Sequence, residues 1–323
     1  MNYFVGPILF VWLSYTIYKQ IKHQQNLHES WDAIKVSFTG PQAWKIWMVA
    51  FLMLVNWGLE ARKWQVLIMH IQKMRFLRAF RAIFSGQAMG FITPNRVGEY
   101  AGRIVYLDEG NRLRGIALSA VGSLAQTIVT FVMGIIGLVY MYKTIVSELP
   151  QMQGLQTFWL MGLTYVLIAV TVLLILFYYN LSWVTKVFER IPFVAKYSFF
   201  IQKLEDLHNR ELTRILNLSL ARYVIFILQY LLLLQVFDVD IVWWQAASLV
   251  CVQFLVMAIV PSITLAELGL RGQVSIALLG LLSANKLGII ATSAVIFLIN
   301  LIIPALAGSL LILGIRIIRN NNK

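Results

Sequence analysis

Six stretches of this chain, at 3–21, 43–59, 116–142, 156–180, 215–237 and 287–315, are predominantly apolar over seventeen residues or more. A helix needs about 20 such residues to cross a bilayer, with about 17 as the lower limit. Hydrocarbon leaves no water for backbone N–H and C=O groups, so only helices and closed barrels can span it. The alternating period of a barrel strand is absent from these stretches. The whole chain is 59% hydrophobic, with a mean hydropathy of +0.75, above the roughly half-apolar content of a soluble domain. An all-α polytopic membrane protein follows, read as one integral membrane domain over 1–323 with about six full transmembrane helices.

Two further apolar runs stop at a proline. The run 82–93 has about twelve residues, or ~18 Å of helix at 1.5 Å per residue, against a hydrocarbon core of ~30 Å. It continues as Thr93-Pro94-Asn95-Arg96-Val97-Gly98-Glu99-Tyr100-Ala101-Gly102-Arg103. The run 242–260 continues as Pro261-Ser262-Ile263-Thr264-Leu265-Ala266-Glu267-Leu268-Gly269-Leu270-Arg271. Both go from apolar helix through proline and a polar stretch into Glu-x-x-x-Arg. Proline cannot continue a helix, and charge at membrane depth is expensive enough to mark function. The pattern predicts two re-entrant hairpins, 82–107 and 242–284, broken at Pro94, Gly98 and Pro261. Gly86, Gly90, Gly98 and Gly102 recur four apart within their limbs, which lets two backbones approach closely.

The distribution of Lys and Arg gives a topology. Basic loops at 60–114 and 182–214 and the C-terminus go to the cytoplasmic side, and the poor loops at 143–155 and 238–241 go outside. The two hairpins then enter from opposite faces, the arrangement of an inverted repeat with halves 43–142 and 215–315. Arg75, Arg78 and Arg81 predict a basic interfacial helix over 64–81. The segment 182–214 reads as amphipathic and cytoplasmic. Residues 3–21 lack a small-residue cleavage site and read as a retained helix. The location expected is the inner (cytoplasmic) membrane, multi-pass.

Glutamate four residues before arginine is the favourable orientation for a helical ion pair. One reading makes Glu99–Arg103 and Glu267–Arg271 structural clamps on the broken helices. The other has Arg96, Arg103 and Arg271 neutralise a phosphate, which the guanidinium fork matches bidentately. Glu99 and Glu267 then orient the arginines or bind an amine. Glu60, near a helix end, is expected to pair structurally with Arg62 or Lys63. Asn56, Gln126, Gln229, Gln253 and Asn300 are expected to make hydrogen bonds between helices. Cys251, the single cysteine, reads as a small buried hydrophobe.

No catalytic residue, metal ligand set or cofactor is assigned. The four histidines are scattered without metal-ligand spacing, and neither a nucleophile elbow nor a P-loop is present. The net charge of +13 sits in loops and helix ends, where it meets lipid headgroups rather than nucleic acid.

Arg62-Lys63-Trp64, the stretch Gly90 to Arg103 with Pro94, Gly98, Glu99 and Arg103, and the stretch Pro261 to Arg271 together resemble the lysylphosphatidylglycerol synthase transmembrane-region family. That family includes the flippase domain of the multiple peptide resistance factor. In the second stretch glutamate precedes arginine, where family members often have the reverse order. The resemblance covers nearly the whole chain. It implies a flippase-like fold with two re-entrant helix pairs and movement of a modified phospholipid between leaflets. It does not imply synthase activity, since the soluble aminoacyl-transferring domain of some members has no counterpart in this sequence. The expected function is a lipid transporter moving a phospholipid, or an aminoacylated or isoprenoid-linked lipid, through a midplane cavity. The expected partners are membrane lipids with anionic or zwitterionic headgroups, and a second copy of the chain or a separate lipid-modifying enzyme. The alternatives are a membrane transferase using a buried glutamate as base and a non-transporting scaffold for such an enzyme.

Overall fold

A computed structural model describes residues 40–93, 96–144, 155–181, 183, 206–260 and 264–320. Among them the regular structure is entirely helical: α1 Ala43–Ile68, α2 Phe76–Ile92, α3 Gly98–Ile104, α4 Arg112–Thr144, α5 Leu155–Tyr179, α6 Asn209–Val236, α7 Trp243–Ile259, α8 Thr264–Leu279, α9 Lys286–Phe297 and α10 Ile303–Asn320. Four helical stretches among the described residues are long and apolar enough to cross a membrane: Glu109–Thr144, Met161–Tyr179, Asn209–Val236 and Lys286–Ile312. The expected first helix 3–21, most of the 182–214 segment and the prolines Pro94 and Pro261 lie outside the described residues.

The boundaries follow from local chemistry. α2 ends at Thr93, whose φ of −104° and ψ of 144° are extended. α7 ends at Val260, with φ −85° and ψ 110°. Each is the residue before a proline, where the ring excludes the helical conformation. α9 starts at Asn285, whose side chain accepts the Gly288 amide at 2.9 Å as an N-cap. The expected helix over 64–81 is not there. α1 continues to Ile68, and a separate helix begins at Phe76. Lys63 and Trp64 are buried and lie within α1 rather than at its end. Arg75, Arg78 and Arg81 are exposed. The apolar run 287–315 is also two helices, joined by a π-helical turn at Leu298–Ile302. Pro304, two residues beyond the turn, cannot donate back to it. Within the turn the Asn300 side-chain amide donates to the Ile296 carbonyl at 3.3 Å.

The helices sort into two compact units. One comprises Val55–Val129, Ile168–Tyr223 and Ile303–Lys323. Its centre is the antiparallel hairpin α2–α3. A Cβ on Gly98 would lie 2.3 Å from the Met89 carbonyl oxygen, and one on Gly102 would lie 2.4 Å from that of Ser85. The four-apart glycines therefore lie where the two limbs touch. α10 covers α2 as closely, with a Gly308 Cβ position 1.9 Å from the Phe84 oxygen. Trp57 meets Phe84 edge-on at 6.1 Å, and Tyr178 donates to the Leu212 carbonyl at 2.9 Å.

The other unit comprises Met1–Leu54, Thr130–Leu167 and Val224–Ile302. Gly137 brings α4 against α7, its Cβ position 2.7 Å from the Ser248 oxygen. Gln229 donates to the Val49 carbonyl at 2.9 Å and accepts from Asn300 at 3.1 Å. Ser275 and Ser293 join α8 to α9 at 2.6 Å. Cys251 is buried. These polar contacts lie inside otherwise apolar helices, where they fix neighbours at about 1 kcal/mol each.

Candidate functional site

Glu60 is 3% exposed on α1 and gathers cations from three helices. Lys63 of the same helix stands 2.7 Å from Oε2. Arg103 of α3 stands 3.0 Å from Oε1. Arg222 of α6 contacts Oε2 as well. Around this centre Arg222 Nε donates to Asn56 at 2.8 Å, Arg222 Nη1 reaches Gln126 at 3.5 Å, and the Lys63 ammonium reaches the Gly122 carbonyl at 3.4 Å. Arg222 also faces the Trp57 ring, its Cζ 5.4 Å from the centroid, a cation–π contact. A carboxylate can remain charged in such a place only because several donors replace its lost water.

The cluster continues toward the surface along the hairpin. Arg103 Nη2 donates to Glu99 Oε2 at 3.3 Å, and Arg96 Nη2 lies 2.6 Å from Glu99 Oε1. Arg96 also donates to Gln87. The side chains open outward in order, from 6% exposure at Arg103 to 17% at Glu99 and 33% at Arg96. Two features of the hairpin place these groups. Gly90 leaves room for Glu99 to lie across α2, since a Cβ there would meet Glu99 Cγ at 2.4 Å. Arg96 holds φ at +57°, one of two non-glycine residues with positive φ among those described. That left-handed conformation costs an arginine about 1 kcal/mol or more. The loop is held by its own hydrogen bonds: the Gly98 amide donates to Thr93 Oγ1 at 2.8 Å, and the Arg96 amide donates to the Thr93 carbonyl at 3.2 Å.

Several buried donors around this cluster have no hydrogen-bond acceptor among the described residues: Arg96 Nε, Arg103 Nε, Asn56 Nδ2 and Trp57 Nε1. Counted by formal charge among the described residues, Lys63, Arg96, Arg103 and Arg222 face Glu60 and Glu99, an excess of two positive charges.

The second unit carries the other pair. Arg271 Nη2 donates to Glu267 Oε1 at 2.8 Å, with side-chain exposures of 15% and 12%. The Tyr230 hydroxyl faces the same guanidinium and accepts from Gln253 at 2.8 Å. Here the arginine meets one carboxylate and a phenol, and the formal charges of the ion pair balance.

Of the residues singled out in the sequence, Arg96, Glu99 and Arg103 come together in one unit, and Glu267 and Arg271 in the other. Of the two partners expected for Glu60, Arg62 and Lys63, the structure pairs it with Lys63, and the sequence did not show that Glu60 also joins Arg103 and Arg222. A signal was present. Asn56, Glu60 and Lys63 recur at i, i+4 and i+7 on one helical face, and Arg222 sits in the apolar run 215–237. No group of three or more His, Cys, Asp and Glu side chains able to hold a metal occurs among the described residues.

Residues 4–308 match the family described as the lysylphosphatidylglycerol synthase TM region. No curated protein matches the chain.

Proposed function

The chain belongs to the lysylphosphatidylglycerol synthase transmembrane-region family, and from that premise we propose that it is a flippase-like transporter moving a phospholipid, or an aminoacylated or isoprenoid-linked lipid, between leaflets. The observation that carries this reading is the graded charge cluster of the α2–α3 hairpin, closed at Glu60 and opening at Arg96. A buried network with one accessible cationic end suits a group that must be gripped and released. Arg96 and Glu99 touch the headgroup, and Arg103, locked between Glu60 and Glu99, holds Glu99 in place. In this reading α2–α3 and α7–α8 are re-entrant, Pro94 and Pro261 make their breaks, and the protein lies in the inner membrane with a cytoplasmic C-terminus.

The experiment is lipid translocation in vesicles reconstituted with the purified protein and fluorescent analogues of the host lipids. Wild type is expected to move lipid, and Arg96→Gln and Glu99→Gln to slow it at least tenfold while both variants stay folded. A wild type that moves no lipid, or variants that keep its rate, would sink the proposal.

A further inference from the structure

We infer that the Arg96–Glu99–Arg103 cluster is a binding site for a phosphate bearing close to two negative charges, a terminal phosphomonoester on a lipid. This rests on the transport reading only in taking a lipid as the carrier of the phosphate. Charge is the first observation. Four cations face two carboxylates among the described residues of the unit, and an uncompensated charge in low dielectric is costly. A phosphomonoester brings about −1.5 to −2 charges and three acceptor oxygens at neutral pH. A phosphodiester headgroup brings one negative charge, and an aminoacylated one adds a cation to a site that already has too many.

Hydrogen bonding is the second and independent observation. Arg103 is 5% exposed, and among the described residues its Nε has no acceptor. Arg96 Nε, Asn56 Nδ2 and Trp57 Nε1 are also buried without one among those residues. The shortage is of acceptors, which phosphate oxygens supply. Arg271 Nε also lacks an acceptor among the described residues, but its single ion pair with Glu267 balances in charge, so a doubly charged ligand is favoured at the first cluster alone. Arg96 is the accessible member, held in a strained backbone conformation and bonded to Glu99 and Gln87. Phosphate displaces Glu99 from Arg96 as it binds.

The test measures the shift in unfolding temperature of the full-length protein in neutral detergent on adding phosphatidic acid, phosphatidylglycerol, lysyl-phosphatidylglycerol or inorganic phosphate. Phosphatidic acid is expected to bind about tenfold more tightly than phosphatidylglycerol, the worth of one further charge-assisted contact, and lysyl-phosphatidylglycerol more weakly still. Two variants separate recognition from scaffolding. Arg96→Gln is expected to weaken phosphatidic acid binding about tenfold. Glu99→Gln frees both arginines and is expected to strengthen it, whereas a merely structural role would weaken both. Equal binding of the monoester and the diester, or both variants moving in the same direction, would overturn the inference. Inorganic phosphate matching phosphatidic acid at equal concentration would overturn the lipid source. Monoester selectivity without translocation in vesicles would leave this site standing and remove the transport reading. Translocation without selectivity would do the reverse.

Discussion

Arg103 Nη1 and Glu60 Oε1 stand 3.0 Å apart, and that ion pair fastens the seven-residue helix α3 to the interior of α1. So short a helix has little stability of its own, since helix formation is cooperative with a costly nucleus. Its position rests on this pair and on the glycine contacts with α2.

Glu60 is the most heavily committed carboxylate in its unit. Glu60→Gln leaves Lys63, Arg103 and Arg222 buried with one charge fewer between them. Breaking a buried pair in this way costs about 3–5 kcal/mol. The expected result is a large drop in unfolding temperature in detergent, partly recovered by adding Lys63→Met. An equally stable Glu60→Gln protein would refute this account of the centre.

Gly308 and Gly162 make a matched pair of alanine substitutions. A Cβ at Gly308 meets the Phe84 carbonyl oxygen at 1.9 Å, backbone that cannot move aside, whereas at Gly162 nothing lies within 4 Å. Gly308→Ala is expected to destabilise by about 1–3 kcal/mol through overpacking. Gly162→Ala is expected to stabilise α5 by about 0.5–1 kcal/mol. Thermal unfolding of the two proteins checks the signs.

Gly90→Ala acts on function through Glu99. The new methyl falls 2.4 Å from Glu99 Cγ and pushes the carboxylate off Arg96 and Arg103. Lipid translocation is expected to fall to the level of Glu99→Gln. Gly110→Ala, with open space around it, should leave the rate unchanged.

At Arg96 the backbone and the charge can be separated. Asparagine tolerates the left-handed conformation and a β-branched residue does not. Arg96→Asn and Arg96→Val are both expected to lose translocation, but Arg96→Val should be less stable by about 1 kcal/mol or more. Comparing their unfolding temperatures measures the strain apart from the lost guanidinium.

The parts of this protein that are local in sequence were legible in it. Helices α4 to α7 follow their apolar runs, and α2 and α7 end where Pro94 and Pro261 forbid Thr93 and Val260 the helical conformation. Glu99–Arg103 and Glu267–Arg271 form because four residues along a helix place two side chains on one face. The Lys63 partner of Glu60 was visible for the same reason. Its other partners, Arg103 and Arg222, are distant in the chain, and nothing in spacing reports a contact made by packing. The expected helix over 64–81 failed because the burial of Trp64 depends on neighbours that α1 does not itself specify. Arg222 could have been suspected, since Leu220, Ala221, Tyr223 and Val224 leave it the one charge in its run.

The π-turn at Leu298–Ile302 accommodates one residue more than an α-helical turn would. One residue is about 100° of rotation, so the turn decides which face Asn300 occupies in what looks like a single apolar run. Deleting one residue there would swing its side-chain amide off Gln229, to which it donates at 3.1 Å. The turn thus works as a vernier, aiming one buried amide without changing the composition around it.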